Sequence, residues 1–352
     1  MRKKALYLFF LLLFIVLYVV VRKPYFSTNL RGEDGHFADI FINQPPGPNY
    51  LQLARIDGKE IYGAPRHPAL LYEPLALAGR VAGIVFNFSE LSEYSTTVRL
   101  RFLFSCFQLF IWVIMWLAVV FFDYFKNKIH LLIMIVLLSL SPIALDSSTL
   151  MQIDNTSGAL YVGIFCFSLL ASVFVKNKSV KHLILFFSAV VVGFGKNEWS
   201  IVLIATLIAS VIFSKIFSIK IQKAVIILIF AGLMVGTLIN IIYDSQNYFG
   251  GFDVLSFVLN READGLNSNL PQFFETVRLE NKERLWYLHV VIILLLVNII
   301  KAAFQFKKLF FEQIFLLFYS ILFFIVYSIY SQPADSRYFV PAFFASIFTY
   351  ML

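Results

Sequence analysis

Ten apolar stretches, separated mostly by short polar connections, constrain this chain more than any other feature. They run over about 5–21, 102–122, 129–145, 157–175, 183–195, 199–214, 224–243, 286–300, 309–330 and 339–352. A helix that crosses the hydrocarbon core of a bilayer needs about 20 mostly apolar residues, so each stretch reads as a membrane span, some of them short. The expected fold class is therefore all-α: a polytopic transmembrane helical bundle of about ten spans. Composition agrees. Of 352 residues, 60% are hydrophobic and only 14% are charged, whereas a soluble domain has about 45–50% apolar and about 25% charged residues. A soluble enzyme, a secreted disulfide scaffold and a disordered chain are all excluded. Cys106 and Cys166 both lie inside apolar runs and read as small buried hydrophobes. The net charge of +8 is not gathered on a soluble face, so nucleic acid is not expected as a partner.

The distribution of the charges sets an orientation. Met1-Arg2-Lys3-Lys4 precedes the first stretch, and no small-residue cleavage site follows it, so residues 5–21 read as an uncleaved anchor. With the amino terminus in the cytoplasm, the inside segments are 1–4, 123–130, 176–182, 215–223 and 301–308. They hold 14 basic residues, of which 13 are Lys. Of the 15 basic residues outside, 11 are Arg. Lysine inside is what orientation alone requires. Arginine outside is what a phosphate or carboxylate site uses, because its planar fork binds such groups through two bonds; pairing with loop acids is the structural alternative.

The polar chemistry concentrates in two outer loops, 22–101 and 244–285, and in three shorter outer connections. Glu33-Asp34 lies between Gly32 and Gly35 soon after the first span. Adjacent carboxylates repel, which suits one of them to general-base work, although a solvated turn has the same composition. Arg66-His67-Pro68 opens an apolar segment, 68–86, that reads as a helix lying in the outer interface. As a span it would invert every later lysine. Asp146 lies near the bilayer edge, and Asp154 follows in the same connection, where it also suits a helix cap. Lys196-Asn197-Glu198 occupies the tight connection before 199–214, and Arg337-Tyr338 precedes the final stretch.

Taken in order, these clusters resemble the GT-C superfamily of membrane glycosyltransferases, in particular the polyprenyl-phosphate-sugar-dependent protein mannosyltransferase and aminoarabinose transferase group. The acidic pair after the first span is Glu33-Asp34. The His-Pro segment leading into an interfacial helix is His67-Pro68. An Arg before the second span matches Arg99 or Arg101. Ser141-Pro142 followed by Asp154 separates two middle spans, Lys196-Asn197-Glu198 forms the next turn, and Arg337-Tyr338 with Pro341 precedes a late span. Where the family often has a Tyr soon after the acidic pair, this chain has His36-Phe37.

The resemblance implies one GT-C-like transmembrane domain over 1–352. It implies an enzyme of cell-envelope biogenesis, a multi-pass protein of the bacterial inner membrane whose active site faces the periplasm or exterior. A polyprenyl-phosphate sugar serves as donor substrate, and a lipid, glycan or protein as acceptor. Asp34, or Glu33 one position away, would act as general base for an inverting transfer. Arg337, Tyr338, Lys196, Arg66 and His67 would hold the phosphate and sugar, and Asp154 would orient hydroxyls. No metal and no cofactor are expected. The alternatives are an O-antigen-type polysaccharide polymerase, whose key loops come later in the chain, and a multi-span transporter or flippase, which would bury charge in mid-membrane.

Overall fold

In the computed structural model, the described residues are 2–26, 54–56, 59–61, 77–78, 81, 85, 93–149, 158–195, 197–221, 223–247, 287–305, 309–330 and 339–352. Eleven helices have defined bounds among them. These are α1 (Arg2–Phe26), α2 (Glu93–Phe121), α3 (Lys128–Ser139), α4 (Pro142–Thr149), α5 (Ala159–Phe174), α6 (Lys178–Gly193), α7 (Asn197–Ile216), α8 (Lys223–Asn247), α9 (Tyr287–Phe304), α10 (Phe311–Tyr330) and α11 (Val340–Met351). One antiparallel pair, β1 (Ala54–Ile56) and β2 (Lys59–Ile61), sits in the first loop with Arg55 opposite Glu60. Within 68–86, Leu77, Ala78, Val81 and Val85 are helical. Leu77, Val81 and Val85, four residues apart and so on one stripe, are exposed.

Four helical segments are long and apolar enough to cross a membrane: Lys4–Phe26, Val98–Phe121, Trp199–Ile216 and Lys223–Tyr243. A fifth is formed if α3 and α4, bent by 57° at their junction, count as one. The remaining apolar helices are shorter, such as Ala159–Phe174 and Val340–Met351. The protein is thus a helical membrane protein, with helices where the sequence has its apolar stretches.

The ends of the helices have local causes. Pro142 has no N–H to continue α3, and Leu138 O instead accepts from Ser141 N at 3.1 Å and Ser141 Oγ at 2.6 Å. Proline is then well placed as the first residue of α4. The Asn177 side chain accepts from Ser179 N and Val180 N and caps α6. Helix α7 stops where Ser218 turns to a φ of 54° and Ile219 N bonds back to Ser214 O at 2.8 Å.

Two features set the packing. Helices α6 and α8 touch backbone to backbone: a Cβ added at Gly236 would stand 2.2 Å from Val190 O, and one at Gly232 would stand 2.4 Å from Phe186 O. Gly232 and Gly236 form the small-xxx-small pattern that lets membrane helices approach closely. Helix α11 is the centre of the bundle. Val340 to Thr349 and Met351 are all buried, mainly against α5, α9 and α10. Its Phe343 and Phe344 pack on Trp112 of α2, with ring centroids 6.2 and 5.3 Å apart. A helix apolar on every side is surrounded by protein or by lipid, and here it is protein. Because α11 is wrapped by other helices, its 12 residues need not match the thickness of the lipid.

Candidate functional site at the arginine end of the bundle

Contacts between helix ends divide the bundle into two ends. At one end lie Lys4 over the Phe121 ring at 5.6 Å, Lys128 donating to Val120 O at 2.9 Å, and Lys181 paired with Glu312 at 3.1 Å. Lys301 donates to Tyr350 O at 2.6 Å there, and His130 Nε2 lies 2.8 Å from Tyr350 Oη. These residues come from four of the five segments expected inside, and they converge although they are far apart in sequence. Eighteen residues separate Lys4 from Arg22 on α1, about 27 Å at 1.5 Å per residue. Arg22 therefore stands about one hydrocarbon thickness from the lysine end.

At this far end the interior becomes polar. The buried face of α1 runs Leu11, Phe14, Tyr18, Arg22 and Phe26. Its lower half is aromatic packing, with Phe14 stacked on Trp116 at 5.3 Å. Its upper half is hydrogen-bonded. Tyr18 Oη donates to Ser105 O at 3.0 Å. The Arg22 guanidinium lies 3.4 Å over the Tyr18 ring and is 0% exposed. Its Nε donates to Ser148 Oγ at 2.6 Å, Nη1 to Tyr18 O at 3.4 Å, and Nη2 to Ser139 O at 2.7 Å and Ala144 O at 3.3 Å. Gln108 continues the network, donating from Nε2 to Ser147 Oγ at 2.8 Å. Next to it Arg101, also buried, donates from Nη1 to Phe26 O at 3.0 Å.

The chemistry of this cluster follows from the break between α3 and α4. In a continuous helix Ser139 O would accept from the amide four residues on. The turn at Ser141-Pro142 removes that partner, and Arg22 supplies another. A backbone carbonyl left without a donor in so apolar a setting costs about 1–3 kcal/mol. Arg22 therefore satisfies irregular backbone, and its partners among the described residues are all neutral oxygens and one ring face. Burying a charge against neutral groups costs free energy that the five N–H donors and the cation–π contact must offset.

Two sequence expectations change here. Arg22 was expected to open the first outer loop, but α1 continues through Pro24 to Phe26 and buries it. The stretch 129–145 was expected as one span; Pro142 bends it by 57°, and α4 carries it on to Thr149. Of the two arginines considered before the second span, Arg101 faces α1 while Arg99 is exposed. Asp146 lies half-buried in α4. The candidate residues Glu33, Asp34, Arg66, His67, Asp154, Lys196, Arg337 and Tyr338 lie outside the described residues. Described residues flank most of them. Phe26 precedes Glu33 by seven residues, Thr149 and Ala159 bracket Asp154, Gly195 precedes Lys196, and Phe339 follows Tyr338. All five sit at the arginine end, because the opposite ends of α1, α3, α5, α6 and α11 meet at the lysine end.

Sequence reasoning missed the cluster of Tyr18, Arg22, Gln108, Ser139, Ser147 and Ser148. The available signal was Pro142 amid hydroxyl residues inside an apolar run, with Tyr18 and Arg22 four apart on one face of the anchor. Fold and site together define a helical membrane protein with a buried cationic, hydroxyl-rich end. No family model, no curated protein and no solved structure matches the chain.

Proposed function

We propose that this protein is an integral membrane glycosyltransferase, moving a sugar from a polyprenyl phosphate to a lipid, glycan or protein acceptor at the outer membrane face. The reading takes ten crossings, a cytoplasmic amino terminus and, at the arginine end, an outer active site. One observation carries it: the helix ends leading into Glu33-Asp34, Asp154, Lys196 and Arg337-Tyr338 gather at a single end of the bundle, opposite the lysines. Convergence of an early acid and a late cation is what a transferase acting on a lipid-linked phosphate requires.

In this scheme Asp34 takes the proton of the acceptor hydroxyl, whose oxygen attacks the sugar carbon with inversion. The bond from that carbon to the phosphate oxygen breaks, and the polyprenyl phosphate leaves with its electron pair. Arg337, Lys196 and Arg66 offset the charge that builds on the leaving phosphate, and donors already in place need no reorganisation at that moment. His67 and Tyr338 flank the headgroup, and Asp154 orients hydroxyls. An amphiphilic donor explains why polar residues cluster where the apolar helices end.

The test is transfer by the purified full chain in lipid nanodiscs, with a panel of radiolabelled polyprenyl-phosphate sugars and envelope acceptors. Label should move to the acceptor fraction, and Arg337→Ala should weaken donor use far more than Arg337→Lys. No transfer from any donor in the panel would reject the reading. A transporter is the second reading, favoured by the bent pair α3–α4 beside a buried cation, since interrupted helices line many transport sites. Movement of a solute or lipid across sealed vesicles, without sugar transfer, would select it.

A further inference from the structure

Arg22 is the buried cation at the arginine end whose partners are all described, and these partners are unusual. They lie on both sides of the junction between α3 and α4: Ser139 O belongs to α3, while Ala144 O and Ser148 Oγ belong to α4. The same guanidinium is anchored on α1 through its own backbone at Tyr18 O and through the Tyr18 ring. Helix α4 has only eight residues, and its direction departs from α3 by 57°. A helix this short has little stability of its own. Its tilt must be fixed by its neighbours. Gln108 holds Ser147 from α2, Arg22 holds Ala144 O and Ser148 Oγ from α1, and α9 and α11 pack against α4 as well.

We infer that Arg22 is a positioning residue that bridges the two halves of the broken segment and fixes the direction in which α4 leaves α3. It thereby sets the point, Thr149, from which the connection carrying Asp154 departs. Two details favour this role over direct contact with a ligand. The side chain is wholly buried, and Nε and Nη2 are spent on protein oxygens. Lysine could not substitute fully, because one ammonium cannot reach Ser148 on one side and Ser139 and Ala144 on the other with the spread of a guanidinium fork. The bridge itself is a matter of structure alone. Its consequence for transfer rests on the glycosyltransferase reading.

Hydrogen exchange on the full-length protein in nanodiscs tests the bridge without reference to activity. In Arg22→Met, amides of Ile143–Thr149 should exchange about tenfold faster or more, while those of α5 and α7 stay within about twofold of the parent. Arg22→Lys should lie between the two. Ser148→Ala, which removes one of the four Arg22 bonds together with the Ser148 Oγ bond to Leu145 O, should raise exchange in α4 alone by about threefold, and by less than Arg22→Met does. Unchanged α4 exchange in Arg22→Met, or an equal rise in every helix, overturns the inference. If Arg22→Met does not fold, an unchanged α4 in Ser148→Ala overturns it. Where the parent transfers sugar, Arg22→Met should lower kcat about tenfold or more with donor KM within about twofold, and Arg22→Lys should recover part of the rate. A raised donor KM at normal kcat would make Arg22 a phosphate ligand and reject positioning. A parent without transfer sinks the functional reading, while the exchange result still decides the bridge.

Discussion

The two ends of the bundle handle their cations in different ways. At the lysine end Lys181 meets a carboxylate, Glu312, and Lys128 and Lys301 reach backbone carbonyls near helix termini. Each ammonium is a single point of charge on a flexible stem that can reach toward water. At the arginine end Arg22 is enclosed and is shared among three helices. The lysine end keeps regular helices and marks a side. The arginine end holds a helix break open, which takes several donors at fixed angles. Irregular backbone in a membrane protein survives only where protein groups satisfy it, and here one side chain meets much of that need.

The comparison can be broken or sharpened by four changes, from the largest effect to the smallest. If the arginine end is the chemical one, Asp34→Asn should lower transfer about 10²–10⁴-fold while thermal unfolding is unchanged, as expected for loss of a general base; normal transfer would remove Asp34 from that role. At the lysine end, Lys181→Met should destabilise by about 3–5 kcal/mol, because Glu312 is left buried without its partner. The double change with Glu312→Leu should recover most of that loss in a melt. Gly236→Ala should cost about 1–3 kcal/mol by forcing α6 and α8 apart, with no bias toward either end; a neutral result would show that the two backbones can separate freely. Gln108→Ala should cost about 1–3 kcal/mol, because it removes the donor to Ser147. Unlike the lysine change, it should loosen α4 first by hydrogen exchange.

The sequence makes the helical part of this molecule legible for a simple reason. Apolar runs flanked by lysines announce a helix and its ends, and Lys4, Lys128, Lys181 and Lys301, from four such flanks, do meet at one end. What hides is whatever depends on a partner distant in the chain. Nothing local to Arg22 says that Ser139 and Ser148, more than a hundred residues on, will surround it. Pro142 gives notice of a break, but not of the bend or of what fills it. The burial of α11 is likewise invisible locally, because a fully apolar helix reads the same whether protein or lipid surrounds it. Gly232 and Gly236 could have been read as a close-packing pair. Their partner, the Phe186–Gly193 face of α6, could not.

The position of α11 also bears on how the molecule comes together. The ribosome delivers this helix after each of the helices that enclose it, so during synthesis its socket stands ready before its occupant arrives. Until Phe343 and Phe344 dock on Trp112, that socket must be lined by lipid tails or partly collapsed. Docking Phe343 and Phe344 on Trp112 thus joins an early segment of the chain to a late one, and the two rings displace whatever lines the socket before them.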